Sequence, residues 1–134
     1  MTGLCLGLAG VAWAMLPIAE FTLAWTHTVE KIRWEEDYRV TADGLLLTEA
    51  RIRGSGAGME IPEDAIWAKG VWRYRPALPP QQPLRLARIP EAGDYQLCRA
   101  ADCQEFSMWL GPSHADRPWL EVWGCPIAES PVRH

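Results

Sequence analysis

The sequence predicts an all-β fold, a single-domain antiparallel sandwich or barrel of about eight to ten short strands. Three observations indicate it. Apolar and polar residues alternate with a period of two in most of the hydrophobic segments, Gly, Pro and Asp residues separate these segments at regular spacing, and no window keeps a helical period. At 134 residues the chain is long enough for one domain with a real core.

The charge balance excludes one broad class of function. The formal net charge is −4, whereas a protein that binds nucleic-acid phosphates needs a basic excess. The arginines of residues 51–88 mostly fall at alternating positions typical of the solvent face of strands. No nucleic-acid partner is therefore expected. Separately, no cofactor is predicted.

Residues 1–14 admit two interpretations. A secretory signal is one, since residues 1–19 carry no charged side chain and Ala12-Trp13-Ala14 resembles a cleavage site. However, no basic residue precedes the apolar run, and its glycines make it a poor membrane span. We favour a first hairpin instead, with strands at residues 4–8 and 11–16 and a turn at Ala9-Gly10. This interpretation slightly favours a cytoplasmic over a periplasmic location.

Residues 21–58 are the central stretch, and they read as three consecutive strands followed by a glycine-rich loop. Alternation puts one set of side chains on a single face, on both sides of a bend at Thr28-Val29. The pairs expected across that hairpin are His27 with Glu30, Trp25 with Ile32, Leu23 with Trp34, and Phe21 with Glu36. Thr-Val is a poor two-residue turn, and a longer bend keeps the same faces only if the register changes by two.

The next turn, at residues 41–44, contains the Asp-Gly signal of a hairpin. A two-residue Asp43-Gly44 loop would bring Glu49 and Arg51 onto the face of Glu36. A three-residue loop with Gly44 in a left-handed bulge would leave Glu49, Arg51 and Arg53 outside and put Leu46, Thr48, Ala50 and Ile52 on that face. The second is more amphipathic and is favoured, although Glu49 stays a candidate.

The rest of the chain is less marked. Residues 59–69 read as irregular, and further strands are expected at residues 71–75, 84–89, 95–99, 104–110 and 119–123. Residues 126–134 read as a tail.

The four cysteines allow two chemistries. Cys98 and Cys103 are spaced to meet across a hairpin neck, while Cys5 and Cys125 stand near the chain ends and can lie side by side in one sheet. Two disulfides follow if the protein is exported, and reduced thiols if it is cytoplasmic. A four-thiolate zinc site is the alternative, but the spacing lacks a C-x-x-C pair, so no metal is the favoured expectation.

Candidate site residues gather in the central stretch. A carboxylate beside His27 can set its tautomer and raise its pKa, and a carboxylate at position 36 among aromatic side chains needs a partner or stays protonated. The glycine loop can form an anion nest, but it lacks the ending of a P-loop. The candidate ligand-binding residues are His27, Thr28, Glu30, Trp34, Glu36, Glu49, Ser55, Gly56 and Gly58.

The central stretch also resembles a known family. The runs FTLAWTHTVEK from Phe21, WEEDY from Trp34 and GSGAGM from Gly54 look like an uncharacterised bacterial family of small domains. Its members are often encoded beside TAXI-type tripartite (TRAP) transporters for organic acids. The family has His-Ser-Val-Glu where this chain has His-Thr-Val-Glu from His27, so the hydroxyl is kept. The resemblance implies a transporter-linked accessory role without an assigned reaction.

Two function classes follow. The leading hypothesis is a non-catalytic accessory or binding module that uses the site near His27, Glu30 and Glu36, with the loop of residues 54–58, to hold a small anionic ligand or a TRAP transporter subunit. The alternative is a small hydrolase or metal-assisted enzyme that uses His27 with Glu30 and Glu36.

Overall fold

The computed structural model describes residues 2–26, 32–54, 62–88, 93–113 and 116–127. These residues form eleven strands and one short helix. In chain order they are β1 (Thr2–Leu8), β2 (Val11–Leu16), β3 (Glu20–Thr26), β4 (Arg33–Thr41), β5 (Gly44–Arg53), β6 (Ile66–Ala68), β7 (Val71–Tyr74), β8 (Leu84–Ala87), β9 (Gln96–Arg99), β10 (Asp102–Glu105), α1 (Ser107–Leu110) and β11 (Trp119–Pro126).

The strands form two antiparallel sheets. One has four strands in the order β2-β1-β11-β8, and the other has seven in the order β10-β9-β3-β4-β5-β7-β6. Their facing sides share one core, made of Leu4, Leu6, Ile18, Phe21, Leu23, Tyr38, Leu45, Leu47, Leu86, Leu97, Phe106, Leu120 and Val122. The prediction of an all-β sandwich is confirmed, and the sheets do not close into a barrel.

The first hairpin forms as expected. β1 and β2 pair on either side of a turn at Ala9-Gly10, where both residues have positive φ. Leu4 and Leu6 are fully buried, and β1 also pairs with β11, from Thr2 opposite Pro126 to Gly7 opposite Glu121. β11 therefore reaches one residue into the segment that the sequence assigns to a tail.

The β3–β4 hairpin keeps the predicted faces with a different register. Trp25 lies opposite Trp34, Leu23 opposite Glu36, and Phe21 opposite Tyr38. The predicted partners were wrong by two residues, which is the shift that a longer bend requires. A shift of two preserves every side chain's face, because the side-chain period of a strand is also two.

The β4–β5 hairpin puts Ala50 and Ile52 on the predicted face, but its loop differs from the predicted one. Its loop is the two residues Ala42-Asp43, and Thr41 pairs with Gly44, so the three-residue loop was wrong. A register shift opposite Asp37 and Tyr38 leaves Thr48 as the extra residue of a bulge. Beyond this bulge Ala50 faces Glu36, as favoured, but before it Leu45 and Leu47, rather than Leu46, are buried on the core side.

Two weaker expectations need correction. Residues 104–110 are not one strand, because β10 ends at Glu105 and α1 follows. Phe106 is fully buried there, and the Asp94 carboxylate accepts a hydrogen bond from the Ser107 N–H at 2.7 Å, which starts the helical turn. The supposedly irregular residues 59–69 include the short strand β6.

No helix in the described part of the chain is long and apolar enough to cross a membrane.

All four cysteines form disulfides. Cys5 bonds to Cys125 and Cys98 to Cys103, the two pairings that their positions suggested. The first pair joins β1 to β11 in the smaller sheet, and the second joins β9 to β10 in the larger one. The four-thiolate zinc alternative is wrong here, since the sulfurs are paired within two different sheets.

Candidate functional site

Two rows of side chains cross the inner face of the seven-stranded sheet near one end. The register puts Leu97, Leu23, Glu36, Ala50 and Tyr74 in one row. The next row is Trp25, Trp34, Ile52, Trp72 and Trp67. The Trp25 and Trp34 rings stack with centroids 6.0 Å apart, and the Trp25 and Tyr95 centroids are 5.7 Å apart. One carboxylate therefore lies beside a row of tryptophans.

Glu36 is partly buried in this row without a cationic partner among the described residues. Its Oε1 accepts a hydrogen bond of 2.8 Å from the Tyr38 hydroxyl. Burial raises the pKa of Glu36 above its usual range, and the Tyr38 hydrogen bond only partly opposes this rise. Within the described ranges the Oε2 atom has no hydrogen bond.

Trp34 supplies the second unsatisfied group. Its Nε1 is buried and lacks a hydrogen-bond partner, the one such side-chain atom among the described residues. Buried indole N–H groups ordinarily find an acceptor. Trp34 and Glu36 are two residues apart on β4, so their side chains leave the same face of the strand. The strand thus presents an unpaired donor next to a carboxyl group whose one hydrogen bond from a described residue comes from Tyr38.

Three tyrosines frame Glu36. Burial raises the pKa of the Tyr38 hydroxyl, and the nearby charge of Glu36 raises it further. The same two causes, burial first and the Glu36 charge second, raise the pKa values of Tyr74 and Tyr95. All three hydroxyls are therefore un-ionised, neutral groups at physiological pH. The surroundings of Glu36 are polarisable and aromatic, with no positive charge from the described chain.

The opposite face of the same strands carries a network of ion pairs. Glu35 contacts Arg33 at 2.9 Å, Arg51 at 3.0 Å and Arg53 at 3.1 Å. Burial alone would raise the pKa of Glu35, but the hydrogen bonds from these three arginines outweigh it and lower the pKa to about 2. The pKa of Glu35 is thus lowered and that of its neighbour Glu36 is raised, because the two side chains point to opposite faces of the sheet.

Glu49 belongs to the charged outer face and not to the candidate site. It pairs across the hairpin with Asp37, and its carboxylate bonds to Arg51 at 2.6 Å and to Arg73 at 3.3 Å. Glu49 thus lies outside the face of Glu36, as the favoured hairpin arrangement predicted, and its role in ligand binding stays a prediction. The bulge at Thr48 is the physical reason, since it sets which side chains share a face with Glu36.

The remaining predicted site residues lie outside the described ranges: His27, Thr28, Glu30, Ser55, Gly56 and Gly58. The described strands next to these residues in sequence nevertheless meet at one end of the sheet. Thr26 at the end of β3 pairs with Arg33, and Arg33 pairs with Arg53 at the end of β5. β3 and β5 therefore end, and β4 begins, at the sheet end that carries the tryptophan row.

Sequence reasoning missed the contributions of Tyr74 and Tyr95 to this site. Tyr74 ends β7 and Tyr95 comes directly before β9, both far in sequence from Glu36, and only the pairing of β7 and β9 with the central hairpin brings them near it. Their alternation was visible, but the strand order was not.

Among the described residues no three His, Cys, Asp or Glu side chains are grouped to hold a metal ion. The Trp34 N–H and the Glu36 carboxyl can instead hydrogen-bond a ligand beside aromatic rings.

Comparison with known proteins gives the family. The model of a family described as a domain of unknown function, DUF1850, matches residues 21–106. No curated protein and no solved structure matches the chain significantly. The matched region runs from β3 to the residue before α1 and includes Trp34, Glu36 and all three tyrosines. The chain belongs to the DUF1850 family of domains of unknown function.

Proposed function

We propose that this protein is a non-catalytic binding module that holds the carboxylate of a small organic acid at Trp34 and Glu36. It acts as an accessory of a TRAP-type organic-acid transporter. The observation that carries the binding proposal is the buried, unpartnered Nε1–H of Trp34. The transporter link rests on the resemblance of residues 21–59 to the family encoded beside such transporters.

The Trp34 N–H favours a ligand that brings an acceptor. A buried donor without a partner costs about 1–3 kcal/mol, and an acceptor placed against it removes that cost. Carboxylate oxygens are strong acceptors for this purpose. The stacked ring of Trp25 provides apolar surface for the carbon atoms of the same ligand.

Glu36 favours the same class of ligand when it carries a proton. Burial raises its pKa and so favours uptake of that proton, and the protonated carboxyl can donate from Oε2 to a ligand oxygen while Oε1 keeps the Tyr38 hydroxyl. A carboxylic acid beside a carboxylate shares one proton between them and avoids like-charge repulsion. His27 and Glu30 remain predicted contributors from the adjoining segment.

The two disulfides bear on where this occurs. Disulfides persist in oxidising compartments and are rare in the cytosol, and the chain has four cysteines, all paired. They support the periplasmic alternative over the cytoplasmic location that the N-terminal run favoured. A periplasmic site also matches the side from which a transporter accessory meets its organic acid.

The alternative of a small hydrolase or metal-assisted enzyme depends on His27 and Glu30 together with Glu36. No observation on the described residues favours it, so it stays a prediction.

The test is isothermal titration calorimetry with succinate and glutarate, on the parent and on variants of the two site residues. We expect Trp34→Phe, which keeps the ring and removes the N–H, to weaken binding by about tenfold, the equivalent of one hydrogen bond. Glu36→Gln keeps a neutral donor and retains binding, whereas Glu36→Leu removes the donor and weakens binding.

Trp13→Phe is the matched control, because it makes the same change on β2 of the other sheet, where Trp13 is exposed, and its affinity should stay within about twofold of the parent. Absence of binding by the parent, or equal affinities for Trp34→Phe and the parent, would overturn the proposal. Loss of binding in Trp13→Phe alone would place the ligand elsewhere and would also overturn the proposal.

A further inference from the structure

The two disulfides have different surroundings. Cys5 and Cys125 are 3% and 7% exposed, and their sulfurs make no hydrogen bond to any described residue. In the other pair Cys98 is buried but Cys103 is exposed. β10, which carries Cys103, is the last strand of its sheet, so one sulfur of this pair is open to an incoming reagent from the sheet edge.

An arginine lies against both sulfurs of the exposed pair. The Nη2 atom of Arg33 is 3.8 Å from the Sγ of Cys98 and 3.8 Å from the Sγ of Cys103. Its orientation is held by two further bonds, from Nε to Glu35 at 2.9 Å and from Nη1 to Gln96 at 2.7 Å. A guanidinium held beside sulfur stabilises a thiolate, and a stabilised thiolate is a better leaving group.

We propose that Cys98–Cys103 is a thiol–disulfide exchange site that reacts with an external thiolate, and that Arg33 promotes the reaction by stabilising the departing thiolate. This inference concerns the outer face of the sheet and is independent of acid binding at Trp34.

The exchange proceeds in two displacements. An external thiolate attacks the exposed sulfur of Cys103, a new S–S bond forms to it, and the Cys98–Cys103 bond breaks. Its electron pair leaves on Cys98, whose thiolate lies beside the Arg33 guanidinium. A second external thiolate then attacks the sulfur of the first reagent and releases Cys103 as a thiolate. Two external thiols are oxidised to one disulfide, the protein disulfide is reduced by two electrons, and the protein thiolates take protons from water.

The test is the reaction of the folded protein with reduced glutathione, quenched by alkylation and followed by peptide mass spectrometry. We expect Cys98–Cys103 to react first, with the transient glutathione adduct on Cys103. Arg33→Met keeps the length of the side chain and removes the charge, and we expect it to slow the reaction by about threefold or more. Arg33→Lys should restore most of the rate.

Arg53→Met is the matched control, because Arg53 also bonds Glu35 from the same face but makes no hydrogen bond to either sulfur, and its rate should equal that of the parent. Circular dichroism checks that each variant is folded. Equal rates for Arg33→Met and the parent, an adduct on Cys98, or equal reduction of Cys5–Cys125 and Cys98–Cys103 would each overturn the proposal.

Discussion

Glu35 and Glu36 show how strongly the face of a strand determines the properties of a residue. Three arginines hydrogen-bond Glu35 and keep it ionised, whereas Glu36 has one tyrosine hydroxyl and a raised pKa. A single peptide unit separates them. The first carboxylate serves stability, and the raised pKa of the second, which has no arginine partner among the described residues, is a shift of the kind found at functional sites.

The depressed pKa of Glu35 predicts a pH-dependent contribution to stability. An unfolded glutamate titrates near 4.5 and the folded one at about 2, so the stabilisation is complete above the unfolded pKa and is lost as pH falls through the folded pKa. The shift corresponds to about 3 kcal/mol at neutral pH. Urea denaturation should show Glu35→Gln less stable by about that amount at pH 7, with the difference shrinking as the pH falls below about 4.5.

Glu105→Gln is the control for this prediction, since Glu105 is exposed on β10 and its substitution should change the unfolding free energy by less than about 0.5 kcal/mol. A Glu35→Gln effect that is independent of pH between neutrality and the acid limit would contradict the ion-pair explanation.

At the scale of the strands, the faces could be predicted from sequence and the partners only in part. Alternation in β3 and β4 reports which side chains share a side, because it is local. The register depends on the length of the bend, and the bulge at Thr48 depends on how Leu45 and Leu47 reach the core, so neither is encoded in one strand. The short helix α1 was missed for the same reason, as it forms around a contact with distant Asp94.

The same distinction explains the candidate site. Trp34 and Glu36 were identified because they belong to one alternating strand, and the bulge at Thr48 decides that Glu49 lies on the other face. Tyr74 and Tyr95 join the site through the strand order of the seven-stranded sheet, which no local pattern reports.

At the scale of the whole molecule, the Cys5–Cys125 disulfide joins the first strand to the last one over a sequence separation of 120 residues, against 5 for Cys98–Cys103. Chain-entropy reasoning gives stabilisations of about 5 kcal/mol and about 2 kcal/mol. We expect the double variant Cys5→Ser/Cys125→Ser to lose clearly more unfolding free energy than Cys98→Ser/Cys103→Ser, in parallel denaturant titrations. Equal losses would mean that closing the long loop does not govern stability.

The most direct test of acid binding is the NMR signal of the Trp34 indole N–H in protein labelled with ¹⁵N-tryptophan. The eight tryptophans give one indole N–H signal each. The signal that is missing from the spectrum of Trp34→Phe belongs to Trp34. On titration with succinate or glutarate we expect this signal to move downfield to saturation, as its N–H gains an acceptor, while the signals of tryptophans remote from the site stay in place. A Trp34 signal that does not move when the acid is in large excess would contradict the proposed function.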